Sequence, residues 1–287
     1  MMINRAVARL TIIMGVLLTA LACLNSQGQD ASGGLKEVRA NTNAAMQGKA
    51  SQGAVPRQGG ADLPVRGEVS QTYQLSPNAD IEVTGIEGAV EVVTTDGGPT
   101  ELHFTRMAQS QAEYDCEKLA IEHTPVRLSL RRQRREGGGC RVIRASEQLR
   151  LVVPRSVRLS FKKIEGDLTV GATDGMLRLS EIEGYVRVAQ TQAAEMRSLE
   201  KGLSLTVERL GELGVRVSNV EGAVELDVAG DLNADLRITS SSGDISADLP
   251  GAQVSRRGPR SYAARLGSGG NKLTLTGIEG AVRVRRK

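Results

Sequence analysis

Beyond Tyr73 apolar and polar residues alternate with a period of two, as in Ile81-Glu82-Val83 and Val215-Arg216-Val217, which predicts short strands with one face buried. One phrase then recurs: Ile86-Glu87-Gly88-Ala89-Val90-Glu91-Val92, Ile164-Glu165-Gly166-Asp167-Leu168-Thr169-Val170, Ile182-Glu183-Gly184-Tyr185-Val186-Arg187-Val188, Val220-Glu221-Gly222-Ala223-Val224-Glu225-Leu226 and Ile278-Glu279-Gly280-Ala281-Val282-Arg283-Val284. Weaker copies stand at Glu200-Lys201-Gly202-Leu203 and Ser242-Gly243-Asp244-Ile245. The glycines from Gly166 through Gly184, Gly202 and Gly222 to Gly243 step by 18, 18, 20 and 21 residues, and Gly280 lies about two periods further on. Such a period predicts stacked coils, each of two short strands joined at a corner.

A single coil cannot bury its inward face, and stacking solves this by pairing each strand with its equivalent one coil away at about 4.8 Å. The expected fold is all-β: a right-handed parallel β-solenoid of roughly 19-residue coils over 72–287, with a more irregular β segment at 103–148. Gly88, Gly166, Gly184, Gly202, Gly222, Gly243 and Gly280 are expected at the corners because a residue without Cβ reaches positive φ at little cost. The corner residues Glu87, Glu165, Glu183, Glu221 and Glu279 would then form a ladder along one edge, its repulsion relieved where Lys201 or Ser242 intervenes.

The N-terminal part has a different pattern. Arg5 and Arg9 precede an apolar run from Leu10 to Ala22 that ends in small residues, the layout of a secretory signal peptide over 1–22. The run is too short for a membrane span. Ala20-Leu21-Ala22-Cys23 resembles a lipobox, which makes Cys23 the candidate acylated first residue; ordinary cleavage after the Ala-x-Ala signal is the alternative. Residues 23–71 are rich in Gln, Asn, Gly, Ser and Ala without periodicity and are expected to be a flexible, disordered tether.

The 287 residues contain 33 Gly, two His and no Trp, with aromatics at 2%. Any core must be aliphatic, which suits a narrow stack whose coils Phe or Trp would push apart. In an oxidising compartment Cys116 and Cys140 are expected to form a disulfide; a metal site lacks the remaining ligands. Asp231-x-Asn233-x-Asp235 starts like a calcium loop, but Leu236 and Ser242 stand where its glycine and final glutamate belong. No metal or cofactor is expected.

The net charge of +4 conceals blocks: residues 127–163 carry +10 and 256–287 carry +8, against −9 over 164–255. Arg131, Arg132, Arg134 and Arg135 are the candidate anion-binding residues, for an anionic glycan or lipid, with a solvated hairpin as the other reading. For the C-terminal block the plainer reading is a charged last coil that resists edge-to-edge association. Nucleic acid is not an expected partner, since no aromatics flank these arginines.

The repeats, the strand Ile81-Glu82-Val83 leading into Gly88, and Leu149-Arg150-Leu151-Val152-Val153-Pro154-Arg155 resemble the bacterial putative-adhesin family, exported and membrane-tethered proteins of β-strand repeats with unassigned function. The resemblance covers roughly Thr72 to Arg285. It implies the fold and a place in the envelope, and it supplies no catalytic residues. His103 and His123 lie in the irregular segment with no nucleophile motif nearby. The expectation is a non-enzymatic binding or scaffolding lipoprotein of the bacterial cell envelope, membrane-anchored in the periplasm or alternatively soluble there or secreted, whose partner is an envelope protein or polysaccharide and whose membrane contact is the lipid anchor. A self-assembling envelope element and a carbohydrate-active solenoid enzyme are the alternatives.

Overall fold

The structure, a computed structural model, describes residues 63–135, 140 and 144–287. The expected signal peptide, Cys23 and most of the expected tether lie outside the described residues. The chain runs through β1 (Val65–Tyr73), β2 (Asp80–Ile86), β3 (Gly88–Thr95) and β4 (Thr100–Ala108) to a short helix α1 (Gln111–Cys116). Next come β5 (Glu117–Thr124), β6 (Arg127–Arg134), β7 (Ala145–Pro154), β8 (Arg158–Ile164), β9 (Leu168–Thr173), β10 (Leu177–Ile182) and β11 (Tyr185–Thr191). After β12 (Ala194–Leu199), β13 (Gly202–Val207), β14 (Val215–Val220) and β15 (Ala223–Val228) stand β16 (Ala234–Ser240), β17 (Ile245–Asp248), β18 (Gln253–Gly258), β19 (Ser261–Leu266), β20 (Lys272–Ile278) and β21 (Val282–Arg286).

These strands form two large mixed sheets, ordered β1-β4-β7-β3-β9-β11-β13-β15-β21-β17 and β18-β19-β16-β20-β14-β12-β10-β8-β2-β6-β5. We call them sheets A and B. From β8 to β15 consecutive strands alternate between the sheets, and each pairs in parallel with the strand two further on. The stack therefore has layers, each with one strand in either sheet. Antiparallel pairs occur only towards the ends: β1 with β4, β4 with β7 and β5 with β6 on one side, and β16 with β19 and β18 with β19 on the other.

Two expectations need correction. Residues 65–71, expected as tether, belong to β1, which pairs with β4 from Val65↔Ala108 to Tyr73↔Thr100. It is an edge strand whose outer residues are polar, so the period of two is barely visible in it. The segment 103–148, expected to be irregular, contains most of β4 and the β5–β6 hairpin in regular pairing, with the short helix between them.

Layer order also departs from chain order. The β6/β7 layer lies outside β2/β3, although β8/β9 follows β2/β3 directly on the other side. At the far side β20/β21 sits between β14/β15 and β16/β17. The basic C-terminal strands are thus interior, and the open edge on this side of sheet B is β18. Every layer presents the same aliphatic inward face, so nothing in the local pattern dictates which layer abuts which.

Inward residues fall in rows. Ile86, Ile164, Ile182, Leu199, Val220 and Ile278 stack in register and are completely buried. Each such side chain contributes about 1.5–3 kcal/mol through burial. From β9 to β15 the core is aliphatic, with Met196 as its one sulfur. The expectation that aromatics would be excluded fails: Phe104 and Tyr262 are buried towards the two ends, and Phe161 of β8 is completely buried between parallel neighbours within the stack.

Candidate functional site

The turns from sheet B to sheet A form a continuous row, because the backbone ladder carries on through the corner. Glu165 N donates to Ile86 O, Glu183 N to Ile164 O, Glu200 N to Ile182 O, Glu221 N to Leu199 O and Glu279 N to Val220 O, at 2.8–3.0 Å. Six glutamates, Glu87, Glu165, Glu183, Glu200, Glu221 and Glu279, therefore follow one another on adjacent layers. Lys201 does not interrupt them as expected, since the residue in register is Glu200. Only beyond Glu279 does a neutral residue take the place, where Ser241 N donates to Ile278 O.

The corner glycines are present for a reason other than the expected one. Positive φ belongs to the residue ahead of the Ile, Leu or Val, at Lys163, Glu181, Ser198 and Asn219 (55–59°); of the expected corner glycines only Gly202 shares it. What the glycines supply is close approach. A Cβ on Gly184 would lie 2.0 Å from Gly166 O, and one on Gly222 would lie 1.8 Å from Lys201 O. Gly88, Gly166, Gly243 and Gly280 are packed just as tightly on neighbouring backbone.

Along this edge runs a groove of about 550 Å³, lined by Lys163, Glu165, Glu183, Glu221 and Glu279 among others. Burial pushes the Glu165 carboxyl above its usual range, neighbouring Glu87 and Glu183 push it further, and Arg132 holds it back. A glycosidase places two carboxylates on either side of a scissile bond. Here the carboxylates stand in one file.

At the N-terminal end of the file lies a charged cluster that the sequence reading missed. Arg106, 2% exposed, donates from Nη1 to Glu147 Oε1 at 2.7 Å and from Nη2 to Glu117 Oε2 at 3.0 Å. Glu147 is its neighbour in sheet A and Glu117 comes from sheet B, so one guanidinium ties the two sheets together. Glu147 Oε2 also accepts from Glu87 N at 2.9 Å. Burial pushes the Glu147 carboxyl upward, against the pull of that hydrogen bond and of Arg106 and Arg132. A signal was there to be read: Arg106 follows Leu102 and Phe104 at inward parity, Glu147 precedes Leu149 and Leu151, and Glu117 precedes Leu119 and Ile121.

The candidate anion-binding run does not form one patch. Arg132 follows Leu128 and Leu130 at inward parity and pairs with Glu87, with Glu165 at 3.8 Å and with Glu117 at 4.0 Å, so it is engaged. Arg134 donates to Cys140 O at 2.7 Å. Arg131 and Arg135 remain exposed. Cys116 and Cys140 are joined in a disulfide, with Cα atoms 5.3 Å apart.

His103 is exposed beside Ser70 Oγ at 3.1 Å, and His123 packs against Tyr73 with ring centroids 4.8 Å apart. Among the described residues no three His, Cys, Asp or Glu side chains are grouped to hold a metal. No helix of the described residues is long and apolar enough to cross a membrane.

No family model matches the chain, and no curated protein matches it. Solved structures do. A "putative cell adhesion protein" from Clostridium sporogenes matches at 15% identity and a TM-score of 0.40 over 77% of this chain and 100% of that one. A "putative adhesin" from Bacteroides fragilis matches at 12% identity and a TM-score of 0.30, over 76% and 97% of the two chains. A "putative lipid binding protein" from Parabacteroides distasonis matches at 10% identity and a TM-score of 0.27, over 76% and 96%. Likenesses this distant locate no residue and assign no activity.

Proposed function

We propose that this chain is a non-enzymatic binding or scaffolding protein of a bacterial cell envelope, exported by its 1–22 signal, held to the membrane through acylated Cys23, and built as a right-handed parallel β-solenoid on a 23–64 tether. The observation that carries the reading is repetition at the surface. The same corner recurs on six adjacent layers with one glutamate at each, so a partner that is itself extended meets equivalent groups at a fixed step. Multi-point contact of this kind needs a stiff surface, and parallel layers over a single aliphatic core provide one.

The test has two parts. Fractionation of cells should place the parent with membranes and Cys23→Ser in the soluble fraction; a variant that stays with membranes overturns the anchor. Purified residues 63–287 should cosediment with isolated envelopes, and a protein left wholly in the supernatant overturns the binding reading. A second reading, self-association, is favoured by β18, an edge strand with almost every residue exposed. Sedimentation velocity decides it: a single monomer peak across a hundredfold concentration range removes this reading.

A further inference from the structure

The outward face of sheet B carries a second regularity, set by register alone. Across β10, β12, β14, β20 and β16, one outward row reads Arg178, Glu195, Arg216, Thr274, Arg237. The three arginines are exposed and recur on every second strand, which spaces them about 9.6 Å apart. Several other cations on this face are tied down, Arg127 to Glu82, Arg158 to Asp80 and Arg265 to Asp235, whereas Arg131, Arg197 and Lys272 are unpaired among the described residues but lie off this row. Arg178, Arg216 and Arg237 form no such pair among the described residues.

Over the last part of the row the face is concave. A trough of about 710 Å³ is lined by Arg216, Thr274 and Arg237, and by Val254 and Ser255 of β18. Cross-strand packing alone asks only that like charges not face each other directly. That requirement is met here by Glu195 and Thr274, and it does not account for arginine at each alternate strand.

We propose that this row is the binding surface for a linear anionic polysaccharide, lying along the stack and across the strands, with one acidic group for each arginine. The proposal rests on the binding role argued above only in that the chain binds an extended partner, and it goes beyond it by assigning a second face, distinct from the glutamate file, and the chemistry of the partner that face would take. A step near 10 Å matches a glycan with one carboxylate per disaccharide better than it matches a single small anion, which would fill one arginine and gain nothing from the row. A concave surface admits a chain, whereas a planar bilayer would rest on its rims. Arginine suits the task because its planar fork pairs carboxylates with two parallel hydrogen bonds. The site differs from the Arg131–Arg135 run, on another part of sheet B.

The experiment measures binding of size-fractionated hyaluronan, which has one carboxylate per disaccharide, to residues 63–287 at low and at physiological salt. The parent is expected to bind, with affinity falling as salt rises. The triple variant Arg178→Ala, Arg216→Ala, Arg237→Ala should lose at least tenfold in affinity, and Arg131→Ala with Arg135→Ala should lose less than twofold. Glu195→Gln, which removes the carboxylate between two of the arginines, should tighten binding severalfold. A folded triple variant that binds like the parent overturns the proposal, as does a parent that binds phosphatidylglycerol vesicles or inorganic phosphate but not the polymer. If the triple variant loses hyaluronan yet still cosediments with envelopes, the face is confirmed and the envelope partner acts elsewhere. If the parent binds neither, the binding role falls with it.

Discussion

The N-terminal end of the stack is closed by β1 and β4 on sheet A and by β5 on sheet B, with Arg106 held between Glu147 and Glu117 and with Cys116 bonded to Cys140. The other end has only the β18–β19 hairpin on sheet B and the four-residue β17 on sheet A. Both ends must deal with open strand edges, which recruit other strands. The first uses added strands with ionic and covalent ties between them. The second relies on shortness and on the charge of Arg256 and Arg257 in β18. The contrast teaches that capping strength and surface regularity are separable: the layers between the ends repeat one pattern regardless of how each end is finished.

The sharpest way to break this comparison is at the buried guanidinium. Arg106→Met strands two buried carboxylates and should cost about 3–5 kcal/mol, read as a large fall in the urea midpoint. Arg256→Ala at the opposite end should stay within about 0.5 kcal/mol. Equal effects would remove the asymmetry. Next in size, replacing Cys116 and Cys140 together by Ser should cost about 3 kcal/mol, and dithiothreitol should bring the parent to the same midpoint.

A smaller contrast lies in the glycine row. Gly184→Ala, deep in the stack, drives a Cβ against backbone that layers on both sides hold in place, and should cost about 1–3 kcal/mol. Gly243→Ala meets Gly280 O just as closely, but its layer is outermost in sheet A and can shift. Its midpoint should fall less. The smallest effect concerns the file of glutamates. Glu165 and Glu147 hold protons more tightly folded than unfolded, so the fold gains stability as pH falls from neutral towards the ordinary Glu value of about 4.3. Asp80 works the other way: the Arg158 hydrogen bonds hold it below its usual range, and its contribution is lost only as pH falls through that lower value. A thermal melt should therefore rise slightly on mild acidification and fall once pH drops beneath the ordinary Asp range. Glu183→Gln should raise the stability at pH 7 by about a few tenths of a kcal/mol, read as a slightly higher melt, and flatten the acid rise; a lowered melt would show that the carboxylates do not repel.

Alternation made the all-β architecture, the inward rows and the corner phrase legible in the sequence, and two cysteines behind an expected export signal made the disulfide legible. The corner chemistry was legible only in part, because a glycine is equally the mark of positive φ and of close approach. Lys163 and Glu181 show by their identity nothing of the backbone conformation they adopt. The arginine row was hidden for another reason. Arg178, Arg216 and Arg237 are far apart in the chain, and only the insertion of β20 between β14 and β16 puts the last two at the same step as the first two. Register between layers is a tertiary property, and the period of two cannot report it.

That insertion also bears on how the chain is assembled in time. β16 emerges before β20, yet its parallel partner in the finished molecule is β20, and the free edge first offered to it is β14. An early β14–β16 pairing would bury the same aliphatic rows and would then have to be undone. Assembly of this end is therefore complete only once β20 and β21 have entered between layers that precede them in the chain.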